Sequence, residues 1–154
     1  MHVVLVEPEI PPNTGNIART CAATRTHLHL VEPLGFSVSD RYLKRAGVDY
    51  WDFVDMQVHP DWQSVVDQLG DPAHWYYFSS HSQKLYTAPQ YGPDAVLVFG
   101  RESTGLPSYL MERYPDAFYV IPMDNRVRSL NLANSVAIVV YEALRQQNFW
   151  LAHE

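Results

Sequence analysis

Apolar positions in this chain fall into short continuous runs that alternate with stretches of helical spacing. Residues 3 to 6 are a β-branched and leucine run closed by Glu7-Pro8, the pattern of a buried strand and its loop. The proline-rich loop EPEIPPNTG follows. Asn13 is a candidate cap for a helix through Ile17, Cys21 and Ala22 to about Thr24. Residues 27 to 31 alternate as a second strand, and Ser39 or Asp40 is placed to cap a short helix through Arg41, Leu43 and Lys44. A third strand is expected over 53 to 58. Pro60 then opens a helix carrying Trp62, Val65, Val66 and Leu69, which Gly70 closes. Residues 75 to 78 and 95 to 99 are continuously apolar, as strands covered on both faces are. A helix is expected over 106 to 113 and a strand over 117 to 121. The last helix starts near 129 to 131, with Leu132, Val136, Val139, Val140, Ala143 and Leu144 forming an apolar stripe.

This alternation predicts one α/β domain over residues 1 to 154, with a largely parallel sheet and helices on both faces. Composition supports a sizeable core, with 47% hydrophobic residues among 154. No run of about 18 apolar residues is present, so no membrane span is expected. The amino terminus reads as a strand and not as a signal peptide. Cys21 is the sole cysteine, which excludes an internal disulfide and makes a cytoplasmic address the default. The formal charge is −6, against the basic balance of a general nucleic-acid coat protein. Arginines and lysines nevertheless cluster at 19 and 25, at 41, 44 and 45, and at 126 and 128.

Ligands of open α/β sheets sit beyond the carboxyl ends of the strands. Three loops at such ends have unusual composition: PPNTGNIAR (11 to 19), FGRESTGLP (99 to 107) and IPMDNRVRSLN (121 to 131). The second is neither a P-loop nor a dinucleotide fingerprint, and by itself it reads first as a plain strand-to-helix connection capped by Ser103 or Thr104. The third offers a helix start beside two arginines, suited to an anion, though by itself it reads first as an ordinary cap before a buried helix. The seven histidines are scattered, without the spacing of a metal site. His27 and His29 share one face of a strand, and a strand surface accounts for them. Cys21, mid-helix among apolar neighbours, reads as a buried inert thiol.

Taken jointly, N-x-G-N-I-A-R at 13 to 19, F-G-x-E-x-x-G-L-P at 99 to 107 and I-P-M…R-S-L-N-L-A-N-S-V-A at 121 to 137 resemble the three motifs of the SpoU/TrmH branch of the SPOUT methyltransferases. EPEIPPNTGNIAR, EPLGF and RAGVDYWDF look like its subfamily of minimal tRNA (cytidine/uridine-2′-O)-methyltransferases acting at the wobble nucleotide. The resemblance spans nearly the whole chain. It implies S-adenosylmethionine as cofactor, a deep C-terminal trefoil knot and a homodimer. It implies cofactor contacts from Phe78, Gly100, Glu102, Ile121, Ser129 and Leu130. Arg19 falls on the catalytic arginine, with Asn13 and Asn131 organising the site. Arg41, Lys44, Arg45, Arg126 and Arg128 are then candidates to grip the backbone of a tRNA anticodon stem-loop. Arg101 departs locally from the family pattern, which has proline there. Two other readings share these residues: a 2′-O-methyltransferase of the same branch acting on ribosomal RNA or another tRNA position, and a knotted RNA-binding protein without catalysis. Enzymes of the first kind usually carry an added amino-terminal domain, and the set Arg19, Glu102 and Asn131 counts against the second.

Overall fold

Six parallel strands form one sheet in the computed structural model, which describes residues 1–39 and 50–154. The strands are β1 (His2–Val6), β2 (His27–Val31), β3 (Met56–His59), β4 (Tyr76–Phe78), β5 (Val96–Phe99) and β6 (Phe118–Tyr119). Their order across the sheet is β3-β2-β1-β5-β4-β6. The helices are α1 (Pro11–Thr24), α2 (Trp62–Leu69), α3 (Ser108–Arg113) and α4 (Leu132–Gln146). The expected α/β class and parallel sheet are therefore present, with helices on both faces. The short helix expected at 41 to 44 lies outside the described residues.

Alternation along the central strands sorts side chains into two cores. Val3, Leu5, Leu28, Leu30, Leu97 and Phe99 meet Ile17, Cys21, Val136, Val139, Val140 and Leu144 from α1 and α4. Val4, Val6, Val31, Val96 and Val98 meet Val65 of α2 and Leu110 of α3 on the opposite face. Burial of each such Val or Leu stabilises the fold by about 1.5–3 kcal/mol. Residues 3–6 of β1 and all of β5 are buried, which is why these stretches are apolar at every position and not at alternate ones.

Several boundaries move for local reasons. α1 begins at Pro11 and is capped by Ile10 without a side-chain bond, so Asn13 is not its cap. Proline is preset for the first helical turn, where its missing N–H costs nothing. The segment 51–53 forms a 3-10 turn, and β3 starts only at Met56. α2 is capped by Asp61, whose side chain accepts from the N–H of Ser64, one residue beyond the expected Pro60. Gly70 closes α2 as expected, at φ 102°. Asn131 caps α4 by accepting from the N–H of Asn134.

Candidate functional site

The carboxyl ends of β1, β5 and β6 lead into the three segments singled out by their composition. These segments are tied to one another by hydrogen bonds across long sequence separations. The N–H of Glu9 donates to both oxygens of Glu102 at 3.1 and 3.2 Å, and the N–H of Ile10 donates to Oε2 at 2.5 Å. In return, the Glu9 carboxylate accepts from the N–H and the hydroxyl of Ser103 at 3.0 and 2.6 Å. These bonds hold the Glu9 carboxyl below its ordinary range. Arg101 pairs with Glu7 at 3.0 Å. Residues 11 to 19, expected as a loop, lie in α1, and it is the segment 7–10 ahead of that helix that a reciprocal pair of carboxylates and one ion pair fasten to the second loop.

The second loop is closed on itself. Arg101 and Gly105 exchange backbone hydrogen bonds at 3.1 and 3.0 Å. A Cβ on Gly100 would stand 2.1 Å from the carbonyl carbon of Gly105, and Gly105 itself has φ 73°. Both positions therefore require glycine. Neither Ser103 nor Thr104 caps the helix that follows: α3 starts at Ser108, after Pro107.

The first and third loops meet through their asparagines. The side-chain amide of Asn131 donates to Oδ1 of Asn13 at 3.0 Å, joining residues 118 positions apart. Asn13 is buried, and Asn131 uses its own oxygen to cap α4. The two motifs are therefore held at one place by a bond that also fixes a helix start. Two turns further along α1, the Arg19 side chain is exposed, with its guanidinium carbon 5.2 Å from the ring centre of Tyr50. The Tyr50 hydroxyl donates to the carbonyl of Gly15 at 3.2 Å.

Phe78, Gly100 and Ile121 sit at or just past the ends of β4, β5 and β6. Phe78 is buried and stacks on Phe99 with ring centres 4.9 Å apart. Ile121 and Leu130 are half-buried, and Ser129 is exposed just before the capped start of α4. Arg126 and Arg128 are exposed in the same third loop. Arg126 is engaged by both oxygens of Asp124 at 2.9 Å. Arg41, Lys44 and Arg45 lie outside the described residues.

One polar feature differs from expectation. His29 is buried and links the imidazoles of His2 and His59 at 3.0 and 2.9 Å, so a strand surface does not account for it. A cleft of about 450 Å³ is lined by Trp75, Tyr76, Arg113, Tyr114 and Tyr119. It lies toward the amino ends of β4 and β6, away from the tied loops. Cys21 is fully buried, and burial pushes its thiol up to about 12. No group of three or more His, Cys, Asp or Glu side chains among the described residues is arranged to hold a metal ion. No helix among them is long and apolar enough to cross a membrane.

Motif spacing does not single out Glu9, Ser103 or Tyr50. Glu9 and Tyr50 stand in EPEIPP and RAGVDYWDF, segments that mark the subfamily without saying what the side chains touch.

Residues 1–141 match the SpoU rRNA Methylase family. The chain is 47% identical over 150 residues to a tRNA (cytidine(34)-2′-O)-methyltransferase of Burkholderia cenocepacia, with 96% of each chain covered. A solved structure described as giving structural insights into the 2-OH methylation of C/U34 on tRNA is similar at TM-score 0.90 and 43% identity, covering 96% of this chain and 95% of that one. An AdoMet-bound rRNA methyltransferase from Sinorhizobium meliloti is similar at TM-score 0.80 and 26% identity, covering 94% of this chain and 55% of that one.

Proposed function

The chain belongs to the SpoU rRNA Methylase family, and from that membership we propose that it methylates the ribose 2′-hydroxyl of nucleotide 34 in tRNA, using S-adenosylmethionine. The observation that carries this reading is the joining of three sequence-distant loops by the Glu102–Glu9 and Asn131–Asn13 hydrogen bonds, at the strand ends where such a site belongs. The nucleotide is a cytidine or a uridine derivative. The likeness to minimal wobble-position enzymes over nearly the full length favours tRNA over ribosomal RNA.

The residues at the strand ends fit the cofactor. Phe78, Ile121 and Leu130 offer apolar surface for an adenine ring, and Gly100 lets backbone groups approach closely. Ser129 adds a hydroxyl for the polar part. When bound, the cofactor supplies an already activated methyl group on its sulfonium, leaving orientation and electrostatics to the protein.

The 2′-hydroxyl is a weak nucleophile until its proton departs. A guanidinium stays protonated at any physiological pH, so Arg19 does not act as the base. Its work is to donate to the developing alkoxide or to the adjacent phosphate. Water or a phosphate oxygen then takes the proton. Asn13 and Asn131 fix α1, and with it Arg19, relative to α4. Glu102 serves by holding the first loop as much as by facing the cofactor.

The anticodon stem-loop presents unstacked bases and a phosphate backbone. Arg126 and Arg128, with Arg41, Lys44 and Arg45, grip that backbone. We also infer a homodimer, a threaded C-terminal knot and a cytoplasmic location, as the family resemblance implies. The exposed aromatic rings of Tyr141 on α4 and Phe149 just after it support the dimer.

The deciding experiment incubates the protein with labelled S-adenosylmethionine and tRNA lacking ribose methylation at position 34, then maps the modified nucleotide. Label at the 2′-oxygen of nucleotide 34 is expected. Arg19→Ala is expected to lower turnover by about 10²-fold or more. Label elsewhere moves the substrate assignment, and no label in any RNA overturns the enzymatic reading.

A further inference from the structure

Arg19 lies on the exposed side of α1, and none of the ion pairs among the described residues includes it. An arginine side chain in that position has several rotatable bonds to settle before it can meet a substrate oxygen. The contact that restrains it is the ring of Tyr50, 5.2 Å from the guanidinium carbon. Among the described residues, two hydrogen bonds tie Tyr50 in place. Its hydroxyl donates to the carbonyl of Gly15, one turn ahead of Arg19 on the same helix. Its carbonyl accepts from the N–H of Phe53, closing the 3-10 turn whose Trp51 packs against the core under α1. The hydroxyl bond thus fastens the ring to α1.

We propose that Tyr50 is a positioning residue for Arg19, a proposal that rests on the assignment of Arg19 to ribose methylation. The chemistry favours a ring over a carboxylate at this place. A carboxylate would occupy two guanidinium N–H groups and cancel the charge needed at the 2′-oxygen. A ring face attracts the cation while leaving the in-plane N–H donors available. The guanidinium is thus oriented before the reaction begins, which is when orientation lowers the barrier.

The test compares Tyr50→Phe and Tyr50→Leu with wild type in methyl transfer to tRNA, alone and combined with Arg19→Ala. The first keeps the ring and loses the bond to Gly15. The second loses both. Tyr50→Leu is expected to lower kcat on the order of 10-fold with little change in KM for either substrate, a scale set by small misplacement of a reacting group. Tyr50→Phe is expected to stay within about 3-fold of wild type, since the ring that orients the guanidinium remains. In the Arg19→Ala background, Tyr50→Leu adds no further loss, because residues acting through one contact are not additive. A merely structural tyrosine would instead give additive losses and a raised KM, and that pattern overturns the proposal. Nuclear magnetic resonance supplies a readout independent of activity: the Arg19 side-chain protons shift upfield beside the ring in wild type and Tyr50→Phe, and lose that shift in Tyr50→Leu. Equal Arg19 shifts in all three proteins overturn the contact. Wild-type protein that methylates no RNA overturns the functional reading alone, and the resonance shifts then decide the contact.

Discussion

Glu102 shows how one residue can be legible in type and illegible in action. The pattern F-G-x-E marks it as part of a site, while its partners are backbone N–H groups 92 and 93 positions away. No local signal announces them, because only folding brings the ends of β1 and β5 side by side. Asn13 is the converse. Local pattern made it a helix cap, but Pro11 starts α1 earlier and Asn13 instead accepts from Asn131. The glycines were readable outright: Gly100 and Gly105 both meet constraints that a Cβ would violate. The carboxylate fastening has a measurable consequence. Charge-assisted hydrogen bonds contribute about 1.5–3 kcal/mol each when removal strands a donor, less where water can reach it. Glu102→Ala is therefore expected to lower stability by roughly 1–3 kcal/mol. It should also raise KM for the cofactor, since the second loop loses its tie to the first. Denaturant titration and cofactor titration check the two effects, and an unchanged unfolding midpoint would rule out the fastening.

At the scale of elements, every strand described by the structure was anticipated, each within about three residues, because buried parallel strands write themselves as apolar runs. Their order was not legible. Placing β5 between β1 and β4 depends on crossovers that no local pattern encodes. The same limit hid the histidine row. His27 and His29 looked like one strand's polar surface, yet β1 and β3 bring His2 and His59 against His29. Each link in the row needs one N–H and one lone pair, so two adjacent imidazoles cannot both be protonated without breaking a bond. Burial lowers His2 and His29 to about 4, and lowers His59 in the same direction. Asp55, Asp61 and Asp94 partly offset this, whereas the amino terminus and His27 add to it. The unfolded chain titrates near 6.5, above the folded value. The row's contribution is therefore complete above about pH 6.5 and is lost as pH falls from there toward 4. Each unit of difference corresponds to about 1.4 kcal/mol before discounting for partial solvent access. The thermal midpoint should fall between pH 7.5 and 5 by about 2–4 °C per kcal/mol lost. His29→Gln should flatten that dependence, and a wild-type midpoint equal at both pH values would contradict the burial of the row.

The molecule as a whole carries −6 and is proposed to bind a polyanion. Net charge repels tRNA at long range, so binding must come from a local patch within about a Debye length of 8–10 Å. Among the described residues, Arg126 is already engaged by Asp124. The proposed homodimer would answer this by presenting two patches to one stem-loop, and it would also cover Tyr141, which is 48% exposed on α4. Salt dependence separates the two arrangements. Binding to the stem-loop should weaken with salt at a slope of about −0.7 to −0.9 per phosphate contacted. Tyr141→Glu, with a charge set into the proposed interface, should sediment at monomer mass. If the dimer forms one continuous grip, the variant should also show a slope near half that of wild type, because half the phosphate contacts are gone. Asp124→Ala should act in the opposite direction, tightening stem-loop binding at low salt because no carboxylate then competes with phosphate for Arg126. A wild-type protein that sediments as a monomer would remove the shared patch from the mechanism. A Tyr141→Glu variant that dissociates yet keeps the full slope would assign all phosphate contacts to a single protomer.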